Sequence, residues 1–356
     1  MSWLLLFIPI AAGLEWWAPE RHLLLFAAAG LAILPLAGWM GRATEQLASR
    51  LGEGVGGLLN ATFGNAAELI ISIAALRAGL HEVVKASLAG SIIGNALLVL
   101  GAAMLAGGLR HPEQHFNAPA ARSQATMLTL AAVALVLPAA YHAALGSGAP
   151  ALGSLSIWIS LVLLGVYSLY LVFSLVTHAQ LFAGTAVEDE AHDEPWSTRR
   201  AAAVLAGATV LIAWMSEVLV GAIEPSADTL GLGDAFVGVF VVAILGNAAE
   251  HATAIGAAMR NRMDLSVAIA IGSSVQVALF VAPVLVLLSL AMGPSPMDLA
   301  IDGGLVLTVL LAVLVTGQVV GDGRSDWLKG VQLLAVYLIL GLAFFFVPIG
   351  GTGTAP

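Results

Sequence analysis

The pentapeptide Gly64-Asn65-Ala66-Ala67-Glu68 recurs as Gly246-Asn247-Ala248-Ala249-Glu250, and both copies sit inside strongly apolar stretches. A carboxylate in such a stretch is expensive to keep and marks a functional position. If each copy is one helix, Asn65 and Glu68 are i,i+3 neighbours on one face, as are Asn247 and Glu250. The interval from Glu68 to Glu250 is 182 residues, and the same interval carries Gly90-Ser91 onto Gly272-Ser273 without a gap. It also aligns Ala86 with Ala268, Ala96-Leu97 with Ala278-Leu279, and Val99 with Val281. The repeat therefore extends over a pair of helices in each half of the chain.

The second helix of each pair adds polar atoms: Ser91 and Asn95 at i,i+4 in the first copy, Ser273 and Gln276 at i,i+3 in the second. Val277 stands where Asn95 stands in the first copy, so the halves are not identical. Two carboxylates with amide, hydroxyl and freed backbone oxygens make an all-oxygen cage, which suits a hard divalent cation such as Ca²⁺. A soft metal would call for Cys or His, and the chain has no cysteine. Without the ion, both carboxylates face a low dielectric that favours their protonated form. Exchange of one Ca²⁺ against protons at the same two groups then has a chemical basis. The competing role for Asn65, Asn247, Ser91, Ser273, Asn95 and Gln276 is hydrogen bonding between closely packed helices.

The elements that must position these groups follow from composition. With 60% hydrophobic and 10% charged residues and a mean hydropathy of +0.97, the chain lies far from the roughly 25% charge of soluble domains. It reads as an all-α integral membrane protein. Stretches of the roughly 20 residues needed to span a bilayer fall at 2–18, 21–41, 56–78, 83–108, 121–145, 152–178, 198–223, 235–259, 264–291, 298–320 and 326–348. Eleven helices are expected, and no strand alternation suggests a β-barrel. The first stretch lacks the basic flank of a signal peptide, and Glu15-Trp16-Trp17 reads as an interfacial anchor.

With the N-terminus in the cytoplasm, the inner loops hold Arg42, Arg50, Arg110, Arg122, Arg199, Arg200, Arg260, Arg262, Arg324 and Lys329, and the outer ones hold Arg21, Arg77 and Lys85. Ten against three is the positive-inside pattern, and an odd helix count puts the C-terminus outside. The expected layout is an N-terminal helix (1–20), a five-helix repeat (21–180), a cytoplasmic acidic segment (181–197), a second five-helix repeat (198–350) and a tail (351–356). An odd number of helices per repeat inverts the second copy in the membrane. In such folds the substrate site lies near the midplane between the repeats.

The runs Asn60-Ala61-Thr62-Phe63-Gly64-Asn65-Ala66-Ala67-Glu68-Leu69-Ile70 and Val242-Ala243-Ile244-Leu245-Gly246-Asn247-Ala248-Ala249-Glu250-His251 resemble the two α-repeat signatures of the Ca²⁺/H⁺ antiporter (cation/proton exchanger) family, within the Ca²⁺/cation antiporter superfamily. The resemblance implies the sodium/calcium exchanger-like fold, transported Ca²⁺ and H⁺, and no cofactor. It implies that Glu68 and Glu250 ligate Ca²⁺ and carry protons, that Asn65 and Asn247 support the site, and that Ser91, Ser273 and Gln276 line it. Thr44-Glu45 and Ser216-Glu217 resemble hydroxyl-acid pairs of the ion or proton path, although Glu45 and Glu217 also read as interfacial charges close to the cytoplasmic ends of their helices. His251 lies on a different face from Glu250 and is not assigned as a ligand. For Glu188, Asp189, Glu190, Asp193 and Glu194 the resemblance implies a regulatory acidic segment, where charge alone implies a solvated linker.

Other classes fit less well. Gly231-Leu232-Gly233-Asp234 matches a GxGD string of intramembrane proteases, but no Tyr-Asp partner exists, and Asp234 reads as a helix N-cap. No Walker-type Gly-Lys-Ser or Gly-Lys-Thr occurs, against an ATP-driven pump. A passive channel is disfavoured by the ligand-rich inverted repeat. A Na⁺/Ca²⁺ exchanger is the nearer rival, but Asn and Ala flank the acidic motifs where hydroxyls would hold Na⁺. The formal charge of −9 and the absence of a basic patch disfavour nucleic acid. The expectation is a secondary transporter in a prokaryotic plasma membrane, not an enzyme, with the lipid bilayer as its surroundings and homo-oligomerisation left open.

Overall fold

A computed structural model describes residues 2–51, 53–146, 151–182, 196–231, 233 and 236–346. The acidic residues 188–194 and Asp234 lie outside the described residues. Among those described, the chain is helical apart from one antiparallel pair of two-residue strands, β1 (Gln114–His115) and β2 (Arg324–Ser325). The helices are α1 (Phe7–Trp17), α2 (His22–Leu51), α3 (Glu53–Phe63), α4 (Ala66–Arg77), α5 (His81–Gly108), α6 (Ala118–Leu145) and α7 (Leu152–Thr177). They continue as α8 (Ala179–Phe182), α9 (Thr198–Gly221), α10 (Ile223–Leu230), α11 (Val237–Met259), α12 (Met263–Ser289), α13 (Gly303–Val319) and α14 (Trp327–Phe346).

Seven of these, α2, α5, α6, α7, α9, α11 and α12, are long and apolar enough to cross a membrane. The expected single span at 56–78 is instead two helices, α3 and α4, that meet at a turn over Gly64-Asn65. The second copy of the pentapeptide lies within one continuous helix, α11. Identical residues thus take two backbone conformations, so local propensity does not decide the break. One expectation changes with it: Asn65 is the N-cap residue of α4, and Glu68 occupies its first turn.

Caps set several helix starts, as their residue types require. Asn117 accepts a hydrogen bond from the Ala120 amide at α6, Ser197 from Arg200 at α9 and Asp302 from Gly304 at α13. The 182-residue interval is visible in helix boundaries too. Arg77 and Met259 end α4 and α11, while His81 and Met263 begin α5 and α12. Both partner helices also carry a π-helical turn at matching places, Gly94–Val99 in α5 and Val277–Val281 in α12. Such turns leave backbone groups outside the regular ladder and commonly mark functional sites.

The paired helices are the centre of the bundle. Of the apolar stretch of α5, 83% is buried within the protein, against 67% for α12 and 17% for the peripheral α7. Close approach at this centre depends on glycine. A Cβ on Gly90 of α5 would lie 2.5 Å from both Cα and the carbonyl oxygen of Val239, and one on Gly238 would lie 2.6 Å from the Ala86 Cβ. Small residues that let helix backbones touch are the usual means of packing helices in lipid. A Cβ on Gly56 would likewise meet the Ala48 carbonyl oxygen of α2.

Gly90→Val is therefore expected to abolish the monodisperse folded peak in detergent size-exclusion chromatography. Gly94→Ala, with nothing within 4 Å of the added atom, is expected to elute like the wild type. Equal behaviour of the two variants would refute the contact.

Candidate cation site

Glu68 on α4 and Glu250 on α11 are brought to one place by crosswise contacts between the two halves. The Glu68 carboxylate, 1% exposed, accepts a short hydrogen bond from the Ser91 hydroxyl of α5. From the other half, the Asn247 amide lies 3.4 Å from the second Glu68 oxygen and donates to Ser91 Oγ at 3.0 Å and to its own helix at Ala243. The second cluster mirrors the first. Ser273 of α12 donates to Glu250 at 2.5 Å and contacts Asn65 Oδ1 at 2.9 Å, and the Asn65 amide donates to Gln276 Oε1 at 2.6 Å.

Each pentapeptide asparagine thus serves the opposite half rather than its own glutamate. The glycine before it makes the approach possible. A Cβ on Gly246 would sit 3.4 Å from the Glu68 Cβ, and one on Gly64 would sit 3.3 Å from Gln276 Oε1 and 3.5 Å from Glu250 Oε1. A Cβ would just fit at Gly246 and would crowd Gly64, so both positions suit the smallest residue.

The two carboxylates differ in setting. Glu68 lies in the first turn of a helix, where unpaired amides and the helix dipole favour negative charge. Glu250 is interior to α11 and half-buried. Among the described residues no group of three or more His, Cys, Asp or Glu side chains could hold a metal. A cation here would meet two carboxylates together with neutral oxygens, which is hard-ion chemistry.

Other expected residues lie elsewhere. Asn95 is 1% exposed and is paired with His251 Nε2 at 2.9 Å, its own amide nitrogen having no partner. It faces the residue after Glu250 rather than a carboxylate, one helical turn beyond the Ser91–Asn247 contact on both helices. Thr44 is buried and donates to Met40 O, and Glu45 is exposed. Glu217 is exposed and forms an ion pair with Arg77 at 2.9 Å, and Ser216 is fully buried with its hydroxyl unpartnered. The structure leaves these four outside the carboxylate cluster. The Arg77–Glu217 and Asn95–His251 pairs were missed by sequence reasoning. Following chain direction through the helices puts Arg77 and Glu217 at the same membrane surface, a signal that was available for the first pair.

A helical membrane protein with two acidic motifs joined crosswise at its centre matches known exchangers. The sodium/calcium exchanger protein family matches residues 21–176 and 200–346. The Ca²⁺/H⁺ antiporter of Synechocystis sp. is 47% identical over 97% of this chain and 96% of its own length. The Ca²⁺/H⁺ antiporter ChaA of Bacillus subtilis is 44% identical over 91% of this chain and 92% of its own. The solved structure of native YfkE superposes with a TM-score of 0.81 at 40% identity, covering 96% of this chain and 97% of that one. The chain belongs to the sodium/calcium exchanger protein family, in its Ca²⁺/H⁺ antiporter branch. Its relatives are transporters and not enzymes.

Asn247→Ala removes the amide that links Glu68 and Ser91 to the other half. Loss of a hydrogen bond to a buried polar group costs about 1–3 kcal/mol, so the thermal midpoint in detergent is expected to fall. A midpoint equal to that of the wild type would show that this contact does not brace the halves.

Proposed function

We propose that this protein is a secondary Ca²⁺/H⁺ antiporter that expels Ca²⁺ at the expense of an inward proton gradient, by alternating access at a midplane site shared by Glu68 and Glu250. The single observation that carries the reading is the crosswise cluster in which Ser91 and Asn247 hold Glu68 while Ser273 holds Glu250. Two carboxylates neutralise one Ca²⁺ and can take up protons when it leaves. Asn65, Asn247, Ser91, Ser273 and Gln276 complete the site, and Asn95 supports it through His251. The Ca²⁺/H⁺ antiporters at 47% and 44% identity favour protons over Na⁺ as the counter-ion.

In the proposed layout α1 stands alone, α2 to α7 form the first five-span repeat, with α3 and α4 making one crossing, and α9 with α11 to α14 form the second, inverted one. The equal 182-residue spacing of helix ends supports this reading, and the shorter apolar helices 3–17, 303–319 and 327–343 bring the crossings to eleven. The N-terminus is assigned to the cytoplasm of a prokaryotic inner membrane and the C-terminus to the outside. Asn60, Thr62 and Thr253 are exposed and Glu250 is half-buried, all toward the surface with the larger share of Arg and Lys. This supports a cytoplasm-facing form in which Glu250 is the carboxylate first met by the ion. The acidic residues 188–194 are assigned a regulatory role on the family resemblance.

The test is ⁴⁵Ca²⁺ uptake into proteoliposomes under an imposed pH gradient, with and without a Na⁺ gradient. Uptake is expected to follow the pH gradient, and Glu68→Gln or Glu250→Gln is expected to abolish it. Wild-type rates in either variant, or uptake that needs Na⁺ and ignores pH, would overturn the reading. Because protons and Ca²⁺ compete for the same carboxylates, apparent Ca²⁺ affinity is expected to weaken as pH falls. A pH-independent affinity would place the protons elsewhere.

A further inference from the structure

Beyond the carboxylate cluster, buried hydroxyls continue from Glu68 along its own hairpin. α4 and α5 form an antiparallel hairpin about the turn at residues 78–80, and the Ser91–Glu68 hydrogen bond fixes their register. That register sets Ser87 of α5 opposite Ser72 of α4, one turn nearer the hairpin turn, about 5.4 Å along the axis. Ser72 is 1% exposed and Ser87 is 0% exposed, and neither hydroxyl has a hydrogen-bond partner. A buried hydroxyl without a partner carries a desolvation cost; a pair of them at one level, beside a carboxylate, calls for an explanation.

A third such hydroxyl follows. The Arg77–Glu217 pair sets the level of α9 against α4. It puts Ser216, 0% exposed and unpartnered, about one further turn beyond Ser72 toward that surface. The second half has no counterpart to the hairpin pair. At the matching 182-residue interval stand Ala254 and Ile269, which cannot hydrogen-bond through their side chains. A polar track therefore leads from Glu68 toward the Arg77–Glu217 end, and α11 and α12 carry no equivalent pair beside Glu250.

We propose that Ser72 and Ser87 hold a water molecule that relays protons to Glu68 from the Arg77–Glu217 side, with Ser216 as the next station. This inference rests on the proton-exchange reading above. Two neutral hydroxyls cannot replace the hydration shell of a divalent cation, which takes six to eight oxygens with carboxylates among them. They can do what a water chain needs, since each hydroxyl donates one proton and accepts at its lone pairs. In the relay a proton arrives on the water from the Ser216 side, and another leaves the water for a Glu68 carboxylate oxygen. The hydroxyls and the water end unchanged, and the net event is protonation of Glu68. Ca²⁺ enters and leaves without using this track.

The test is the Ser72→Ala/Ser87→Ala double variant in proteoliposomes, with ⁴⁵Ca²⁺ flux and internal pH recorded together. Wild-type protein run in parallel must first exchange Ca²⁺ for protons; if it does not, the antiport reading itself falls. With exchange established, the variant is expected to slow it about tenfold or more, within the range of a positioned proton donor. Equilibrium ⁴⁵Ca²⁺ binding in detergent at high pH is expected to stay unchanged. The thermal midpoint is expected to stay near the wild-type value, because no hydrogen bond between protein groups is removed. Exchange at the wild-type rate would overturn the relay. A parallel loss of equilibrium Ca²⁺ binding would also overturn it, since the hydroxyls would then act on the cation.

Discussion

Two carboxylates enclosed by apolar helices constrain everything else in this molecule. Each must find donors inside the protein, because an unpaired charge at such depth costs several kcal/mol. Glu68 draws on Ser91 and on Asn247 of the opposite half, and Glu250 draws on Ser273, which Asn65 of the opposite half engages in turn. The solution couples the halves. Neither carboxylate is satisfied by its own helix, so the polar cluster is complete only when α4 and α5 are packed against α11 and α12. Separation of the halves would strand buried polar groups on both sides, and close packing is thereby tied to the site.

Glycine supplies the geometry that this coupling needs. Gly64 and Gly246 admit the other half's polar groups, and Gly90 and Gly238 bring the backbones of α5 and α11 together one helix away. Two separate pressures, close helix contact and access to the carboxylates, fall on neighbouring positions of the same elements. The π-helical turns in α5 and α12 add a third feature at the same depth. They break the ladder just past Ser91 and Ser273, so side chains beyond that point face new neighbours.

Much of this was legible in the sequence, for a physical reason. Helices buried in lipid are long, apolar and capped by polar loops, so their positions follow from hydropathy, and a duplicated motif reports a duplicated helix pair. The interval that aligned Glu68 with Glu250 also predicted that α5 and α12 would begin at matching positions, His81 and Met263. The break at Gly64-Asn65 was not legible, because the same pentapeptide is continuous in α11 and the difference lies in what packs around it. The crosswise role of the asparagines was hidden for a related reason. Spacing places Asn65 near Glu68 in one helix, but the turn separates them and the partner comes from 208 residues away in the chain, at Ser273.

The departures from symmetry are as informative as the repeat. A transporter built from two equivalent inverted halves has two equivalent faces, and the differences between the halves make those faces distinct. Here Glu68 is enclosed at the first turn of a broken helix, while Glu250 is half-buried within a continuous one. Beside Glu68 stand Ser72 and Ser87, and at the matching places in the other half stand Ala254 and Ile269. Glu68 therefore has hydroxyls one turn away on both helices of its hairpin, where the other half offers only apolar side chains. On the antiport reading, the two glutamates then have unequal duties. Glu250 lies nearer the open side, and Glu68 has the hydroxyls of Ser72 and Ser87 on its other side. An exact repeat would have allowed no such division; the gradients set the direction of net exchange, and the few substitutions that break the repeat make the two faces unequal.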